Sequence, residues 1–283
     1  MILRSLLLPI LLLVASGPAR AAADFPLQAG EHLSFRVSWA IVRGAGSIKI
    51  DARRDATRDD RLVVTTTTAT RGFARMLLAF DAKAESFYDL NSGRLRSLHE
   101  YSKSKDKVKE HHVAFDHAAR TAAYSAKDSQ EPTNLPMPAG DPSDLILALL
   151  QTRTWNLKPG ESRDALVLFD DDFYELTIHA TRYEELWTSL GKFNTLVLEP
   201  RMEKTPPKGM FKRGSSVRVW ISQDEQRLPV RFDVEFNIGT GTATLDYYEK
   251  PGTKLGTPPA PATAANPAAS GSSPVPDAKN SRP

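Results

Sequence analysis

The chain contains no cysteine in its 283 residues. Disulfides, thiol catalysis and thiolate metal sites are thereby excluded, as is the lipid-bearing cysteine of a lipoprotein. Whatever domain forms has to be held by its core. Long apolar runs are scarce as well. The longest, Leu6–Val14 within MILRSLLLPILLLVASGPARAAADFP, is interrupted by Pro9 and falls well short of the ~20 residues of a spanning helix. A sustained basic stripe is also missing, which argues against nucleic acid as a partner. The most basic stretch, KSKDKVKEHH from Lys103, carries Asp106 and Glu110 and reads as a solvated hairpin tip.

What is present at the ends is informative. Arg4, the short apolar run and Ala21-Ala22-Ala23 have the order of a secretory signal peptide over residues 1–23, cleaved before Asp24. Cleavage would remove Arg4 and Arg20 and no acid, leaving 35 basic against 34 acidic side chains. The mature protein is therefore expected to be near neutral, without a membrane span. At the other end, residues 251–283 hold no aromatic, and Leu255 and Val275 are their only large aliphatics. Such a Pro/Ala-rich tail cannot bury enough apolar surface to offset the entropy of ordering it, and is expected to be disordered. No proline- or glycine-rich seam divides residues 24–250, which read as a single β-rich domain.

Within that domain the dominant period is two. Leu33, Phe35, Val37 and Trp39 alternate with His32, Ser34, Arg36 and Ser38. RLVVTTTTAT from Arg61 is rich in the β-branched residues that suit a pleated surface. Further strands are expected from Ala84, Arg94, Val108, Asp164, Phe173 and Asn194, with turns at Asn91, Asp170 and Leu190. About a dozen strands with short links imply an antiparallel meander. GDPSDLILALLQTRTW is the clearest helix. Asp141 is the expected N-cap, Pro142 the first helical residue, and Leu145, Ile146, Leu149 and Leu150 the apolar face. A weaker helical pattern of one or two turns covers Phe73, Met76, Leu77 and Phe80. The fold class is mainly β: a curved antiparallel meander, half-barrel or β-spiral, with one amphipathic helix in or against its concave face.

RVWISQDEQRLPVRFDVEFNIGTGTATLDYYE, from Arg218 to Glu249, allows the register to be argued. Val217, Val219 and Ile221 have to share a face with Val230, Phe232, Val234 and Phe236. Pairing Ile221 with Val230 sets Arg218 opposite Asp233 and Trp220 opposite Arg231. A two-residue slip one way faces Arg218 with Arg231, which is disfavoured by about 0.2–1 kcal/mol. The opposite slip sets Arg218 against Glu235 and stays open. Pro229 begins the second strand, and Gly239-Thr240 is the expected turn. Trp220 falls on the polar face. It either lies under Arg231, is covered by another element of the domain, or serves with Arg218, Arg231 and Asp233 as a binding platform.

FPLQAGEHLSFRVSWAIVRGAGSIKI, SLGKFNTLVLEP and MFKRGSSVRVWISQDEQRLPVRFDVEFNIGTGTATLDYYE together resemble the bacterial family catalogued as domain of unknown function 3108. The tryptophan strand, acidic turn, LPV and glycine turn occur in that order, and the resemblance runs from about Phe25 to Glu249. It implies an exported envelope protein of Gram-negative bacteria with a curved antiparallel architecture, and the cleaved leader makes the periplasm the expected location. No catalytic residues come with it.

No familiar chemistry is spelled out. RGSSV at Arg213 lacks the second glycine of a nucleophile elbow and leads into a strand. His111 and His112 point to opposite faces, and His117 sits in a turn, so no metal site is expected. FDDDFYE at Phe169 lacks the spacing and glycine of a calcium loop. GAGS at Gly44 has neither lysine nor helix, and reads as room for close strand packing or a bulge. No cofactor is implied. The expectation is a non-catalytic envelope protein, a scaffold binding a protein, glycan or lipid partner. The alternative is a carrier of an apolar ligand in a half-barrel cavity, and a hydrolase of an envelope polymer is third.

Overall fold

Alternating side chains build one long sheet, seen here in a computed structural model that describes residues 25–259 apart from 78, 106, 208–210, 212–214 and 237–238. The segment read as a leader (1–23), most of the segment read as a tail and part of the Arg213 stretch lie outside the described residues. The first half of the meander comprises β1 (His32–Trp39), β2 (Val42–Arg54), β3 (Arg61–Thr70), β4 (Phe80–Asp89), β5 (Arg94–Ser104), β6 (Lys107–Asp116), β7 (Thr121–Ala126) and β8 (Thr133–Pro136). A one-and-a-half-turn helix, α1 (Gly72–Leu77), joins β3 to β4. After the short β9 (Pro142–Asp144) comes α2 (Leu145–Gln151), closed by a 3-10 turn at Thr152–Thr154. The second half holds β10 (Ser162–Phe169), β11 (Asp172–Thr188), β12 (Gly191–Arg201), β13 (Ser216–Ser222), β14 (Pro229–Phe236), β15 (Gly239–Lys250) and β16 (Thr253–Gly256).

Neighbouring strands in sequence are neighbours in space, with one junction. β1 pairs with β15, Leu33 opposite Tyr248 and Val37 opposite Ala243. The order is therefore β8 through β1, then β15 through β9, with β16 hydrogen-bonded to β15. β8 and β9 are the free edges, so the sheet curves without closing. β16 lies inside the stretch assigned from sequence to the tail.

The helix fills the concave side. Leu147 and Leu150 join the largest cluster, which includes Leu33, Ile50, Leu62, Leu98 and Val113. Leu149 packs with Ile178, Leu196, Val219 and Ile221, and Ala148 with Val167, Leu176 and Met202. Each fully buried leucine contributes about 1.5–3 kcal/mol relative to exposure. Four consecutive buried residues feeding three clusters make α2 the plug of the half-barrel.

Its cap differs from the sequence expectation. Asp144, not Asp141, is the N-cap: its Oδ1 accepts the amide hydrogen of Leu147 at 2.9 Å. Asp141-Pro142-Ser143 cannot be helical, because Pro142 and Ser143 pair in parallel with Leu166 and Val167 of β10. A proline without a donor is tolerated at such an edge. Asp144 also accepts from Ser86 Oγ at 2.6 Å. Burial pushes its carboxyl above the usual aspartate value, against the pull of those two hydrogen bonds. The other end of the helix is held by Arg153 and Arg227. Arg153 donates to Glu31 at 2.7 Å and to the Pro26, Gln226 and Arg227 carbonyls. Arg227 donates back to the carbonyls of Arg153 and Trp155, both at 2.8 Å.

The β13–β14 register places Arg218 opposite Asp233 and Trp220 opposite Arg231, as expected, but a bulge follows Trp220 and sets Ile221 opposite Pro229 rather than Val230. Gly239 and Thr240 do not form the turn: they are already in β15, with Gly239 opposite Phe236, and the connecting residues 237–238 lie outside those described. The side chain of Phe236 likewise is not described. At GAGS the expected close packing is at Gly46, where a Cβ would meet the Ala69 carbonyl oxygen at 2.6 Å.

Candidate functional site

The concave face is filled at one end and hollow at the other, and the strand sequences explain why. Along β3 the inward positions run Leu62, Val64, Thr66, Thr68; along β4, counted from the same end, Tyr88, Ser86, Ala84, Ala82; along β5, Leu98, Glu100, Ser102. The first members are core residues. The later ones are small or polar and leave space in front of the helix. There Thr66, Thr68, Ala82, Ala84, Ser102 and Lys109 face Leu145, Ile146 and Phe169 across a cleft of about 360 Å³.

A second cleft of about 270 Å³ continues on the other side of Leu145 and Ile146, which line both. Its walls are Phe35, Val37, Trp39, Ile48, Phe232 and Val234, with Pro200 and Phe211 at the rim, and no charged side chain lines it. Phe35 is fully buried, whereas Val37, Ile48 and Phe232 are half-buried. Phe35 and Phe232 therefore fill only part of the concavity. The two clefts form one trough, apolar under β1 and β14 and increasingly polar towards β5 and β6. Each half is near the lower end of the roughly 300–1,000 Å³ of small-molecule sites.

The free flank of the sheet returns to the trough at the β10–β11 turn. Asp170, in the left-handed region at φ 59°, accepts from Lys109 of β6 at 3.0 Å and from Tyr124 of β7 at 3.2 Å. Burial, and then the neighbouring Asp170, pushes the Tyr124 hydroxyl up to about 12. His111 is buried in the trough wall, 3.3 Å from Glu100. His112 points away, as alternation requires, and His117 in its turn bonds the Leu95 carbonyl at 2.7 Å. Among the described residues no three metal-ligating side chains converge.

A third, wider cleft of about 550 Å³ runs beside Pro142 and Trp155. Lys204 bonds Asp164 at 2.6 Å there, Arg163 covers Trp155 at 4.8 Å, and Asp141 pairs with Arg94 at 3.0 Å. Among its described residues the one hydroxyl pair is Tyr88 with Ser143, at 3.0 Å.

Trp220, Arg218, Arg231 and Asp233 come together on the opposite, convex face. The indole is 3% exposed, with the Arg231 guanidinium 4.9 Å and the Arg218 guanidinium 5.7 Å from its ring centre. Arg231 forks onto Asp233 with two bonds of 2.7 Å, and Arg218 lies 3.7 Å from Glu235. A ligand reaching this ring would have to displace both guanidinium groups. Sequence reasoning singled out this group as the site, raised a half-barrel cavity only as an alternative, and assigned it no lining residues. The signal that could have found it is the change along one face of RLVVTTTTAT from Leu62 and Val64 to Thr66 and Thr68.

The fold and trough define an open, helix-plugged β half-barrel with an amphipathic cleft on its concave side. The chain belongs to the family described as Protein of unknown function (DUF3108), which matches residues 34–246. No curated protein matches it. Among solved structures it is similar to a β-barrel-like protein of domain of unknown function DUF1849 from Brucella abortus, at 6% identity and a TM-score of 0.52, over 77% of this chain and 96% of that one. It also matches a DUF1089 family protein from Pseudomonas aeruginosa, at 14% identity and a TM-score of 0.35, over 65% and 87% of the two chains. A protein described as exported, with a YmcC-like fold, from Bacteroides fragilis matches at 13% identity and a TM-score of 0.32, over 81% and 100%.

Proposed function

We propose that the protein is an exported, non-catalytic component of the periplasm that holds the acyl chain of an amphiphilic lipid in its concave trough. The observation that carries this reading is the trough's graded lining: no charge in the half walled by Phe35, Val37, Trp39, Ile48 and Phe232, and threonine, serine, lysine and glutamate in the adjoining half. An apolar tail buried under β1 and β14 gains about 0.8 kcal/mol per methylene removed from water. A polar head then lies against hydroxyl and charged groups that can satisfy it. The leader-like sequence at 1–23 supports export, and among the described residues the Ser86–Asp144 pair is spent on capping α2, which supports binding rather than turnover.

The test is native mass spectrometry of protein purified from envelope extracts without detergent. A discrete added mass that fragments as a lipid is expected. A clean mass of the protein alone, together with no uptake of added phospholipid, overturns the reading. An added mass that fragments as a peptide or a glycan overturns it in favour of a scaffold for that partner.

A further inference from the structure

Five of the eight large exposed hydrophobic side chains among the described residues, all but Phe169, Tyr183 and Trp187, gather on three neighbouring connections. Ile41 is 95% exposed, Phe73 60%, Met76 82%, Leu77 65% and Val108 48%. Ile41 lies at the β1–β2 turn, the next three on α1 between β3 and β4, and Val108 beside the β5–β6 turn. In an antiparallel meander these three connections fall at the same end of the sheet. It is the end at which the trough opens, marked by Trp39, Phe80 and Ser102 in the trough lining.

Their exposure is built in. α1 is pinned at its base: the Arg71 amide bonds the Ala45 carbonyl of β2 at 2.8 Å, and Thr70 Oγ1 accepts from the Phe80 amide at 2.9 Å. Arg75 forks onto Asp81 with two bonds of 2.8 Å. The helix thus presents Phe73, Met76 and Leu77 to solvent while its polar groups are tied to the sheet. Largely exposed apolar side chains on a firmly held turn add little to the fold, and a clustered exposed set marks an interaction surface.

The same rim is basic. Arg43, Arg71, Lys103, Lys105 and Lys107 are exposed on these connections, whereas Asp81 is engaged by Arg75 and Asp106 is the one acid in the β5–β6 turn. Across the trough, Asp170, Asp171 and Asp172 make the opposite rim acidic. Among the described residues, most of the exposed basic and apolar side chains of the mouth therefore lie on its β1–β6 flank, with Phe169 and Lys204 on the other flank.

From this arrangement we infer that the β1–β6 rim docks on the surface of an anionic phospholipid bilayer. Ile41 and the α1 side chains enter the interface, the lysines and arginines face the phosphates, and the trough mouth abuts the lipid from which it loads. Alternating basic and apolar groups at loop tips fit a lipid surface, where apolar insertion and attraction to anionic headgroups add. This rests on the lipid-binding reading above and names the partner from which the ligand comes.

The experiment is flotation of the chain from Asp24 onward, which contains every described element of the fold, with vesicles of phosphatidylethanolamine and phosphatidylglycerol. Pure phosphatidylcholine vesicles are the uncharged comparison. The protein should float with the anionic vesicles, much less with the uncharged ones, and less as salt rises. Met76→Glu/Leu77→Glu should abolish flotation. Lys105→Glu/Lys107→Glu should weaken it by about tenfold or more, each lost cation removing roughly a factor of five. Trp187→Glu, at an equally exposed tryptophan towards the opposite end of the sheet, should leave it unchanged. Failure of the parent chain to float, equal flotation by the Met76/Leu77 variant, or equal loss in Trp187→Glu overturns the inference. Lipid uptake from detergent micelles, measured on the same variants, should persist. If uptake fails in the parent chain as well, the trough reading has failed; if only flotation fails, the docking surface alone has failed.

Discussion

Arg153 Nη1 lies 2.7 Å from Glu31 Oε1, a residue 122 positions earlier in the chain, and the two side chains are 10% and 2% exposed. The pair ties the end of the helical plug to the segment that enters β1. The same guanidinium is saturated by three carbonyls, so its removal strands a buried carboxylate and three acceptors together. Arg153→Ala should cost about 3–5 kcal/mol, the usual penalty of breaking a buried pair from one side. Glu31→Gln/Arg153→Met should recover part of that loss. Urea unfolding followed by circular dichroism measures both.

Asp144 makes a second hinge point for the helix. Asp144→Ala should lose the cap, worth about 0.5–2 kcal/mol, and leave Ser86 without its partner. Asp144→Asn keeps an acceptor and should cost less. Because the buried carboxyl titrates above the unfolded value of 3.8, the folded state binds the extra proton just above that pH. Stability should therefore fall as pH rises from 3.8 through the folded value, and Asp144→Asn should flatten that slope. Unfolding midpoints measured from pH 3.5 to neutrality, a window taken from the direction of this shift, are the check, read as the difference between the two proteins.

The seam at Asp170 has its own signature at high pH. Tyr124 keeps its proton to about 12 in the folded protein against 10.0 in an unfolded chain. The folded state holds more protons across that window, so stability should decline as pH rises through it, and Tyr124→Phe should remove that component. Alkaline spectrophotometric titration of the tyrosines would show one phenol fewer at the upper end in the variant.

Trp220→Ala removes a side chain that is 3% exposed, and should cost about 3–5 kcal/mol as a buried tryptophan truncation. The guanidinium over the ring accounts for about 0.5–1 kcal/mol of this, readable as the coupling between Trp220→Ala and Arg231→Met in a double-mutant cycle. Truncating Arg231 also leaves Asp233, 4% exposed in its side chain, without its fork. Arg231→Met should therefore be destabilising in its own right.

Much of this architecture could be read from the residues. Period-two alternation located most strands, and RLVVTTTTAT coincides with β3. Charge pairing favoured the Arg218–Asp233 register over the slip that faces Arg218 with Arg231, while the slip onto Glu235 stayed open until the strand pairing decided it. The cap was misplaced because Asp141 and Asp144 both satisfy the local rule, and only the pairing of Pro142 with Leu166 decides between them. β9 and β16 are too short to show alternation. β11 runs seventeen residues to Thr188, past the point where Arg182, Glu184 and Glu185 make its outer half look like a loop. A cavity in the half-barrel was among the expectations, but its lining escaped for a different reason. A cavity is a property of what stands opposite, and Ala82 or Thr68 looks like any small strand residue until Leu145 and Phe169 are seen across from it.

That hollow end of the concave face is the centre of the account, and a fluorescence titration with cis-parinaric acid tests it most directly. The parent protein should bind one molecule saturably. Ala82→Phe, which puts an aromatic ring between Thr68 and Ser102, should weaken binding by at least tenfold while leaving the unfolding midpoint as high or higher. No saturable binding by the parent protein, or equal binding by Ala82→Phe, would contradict it.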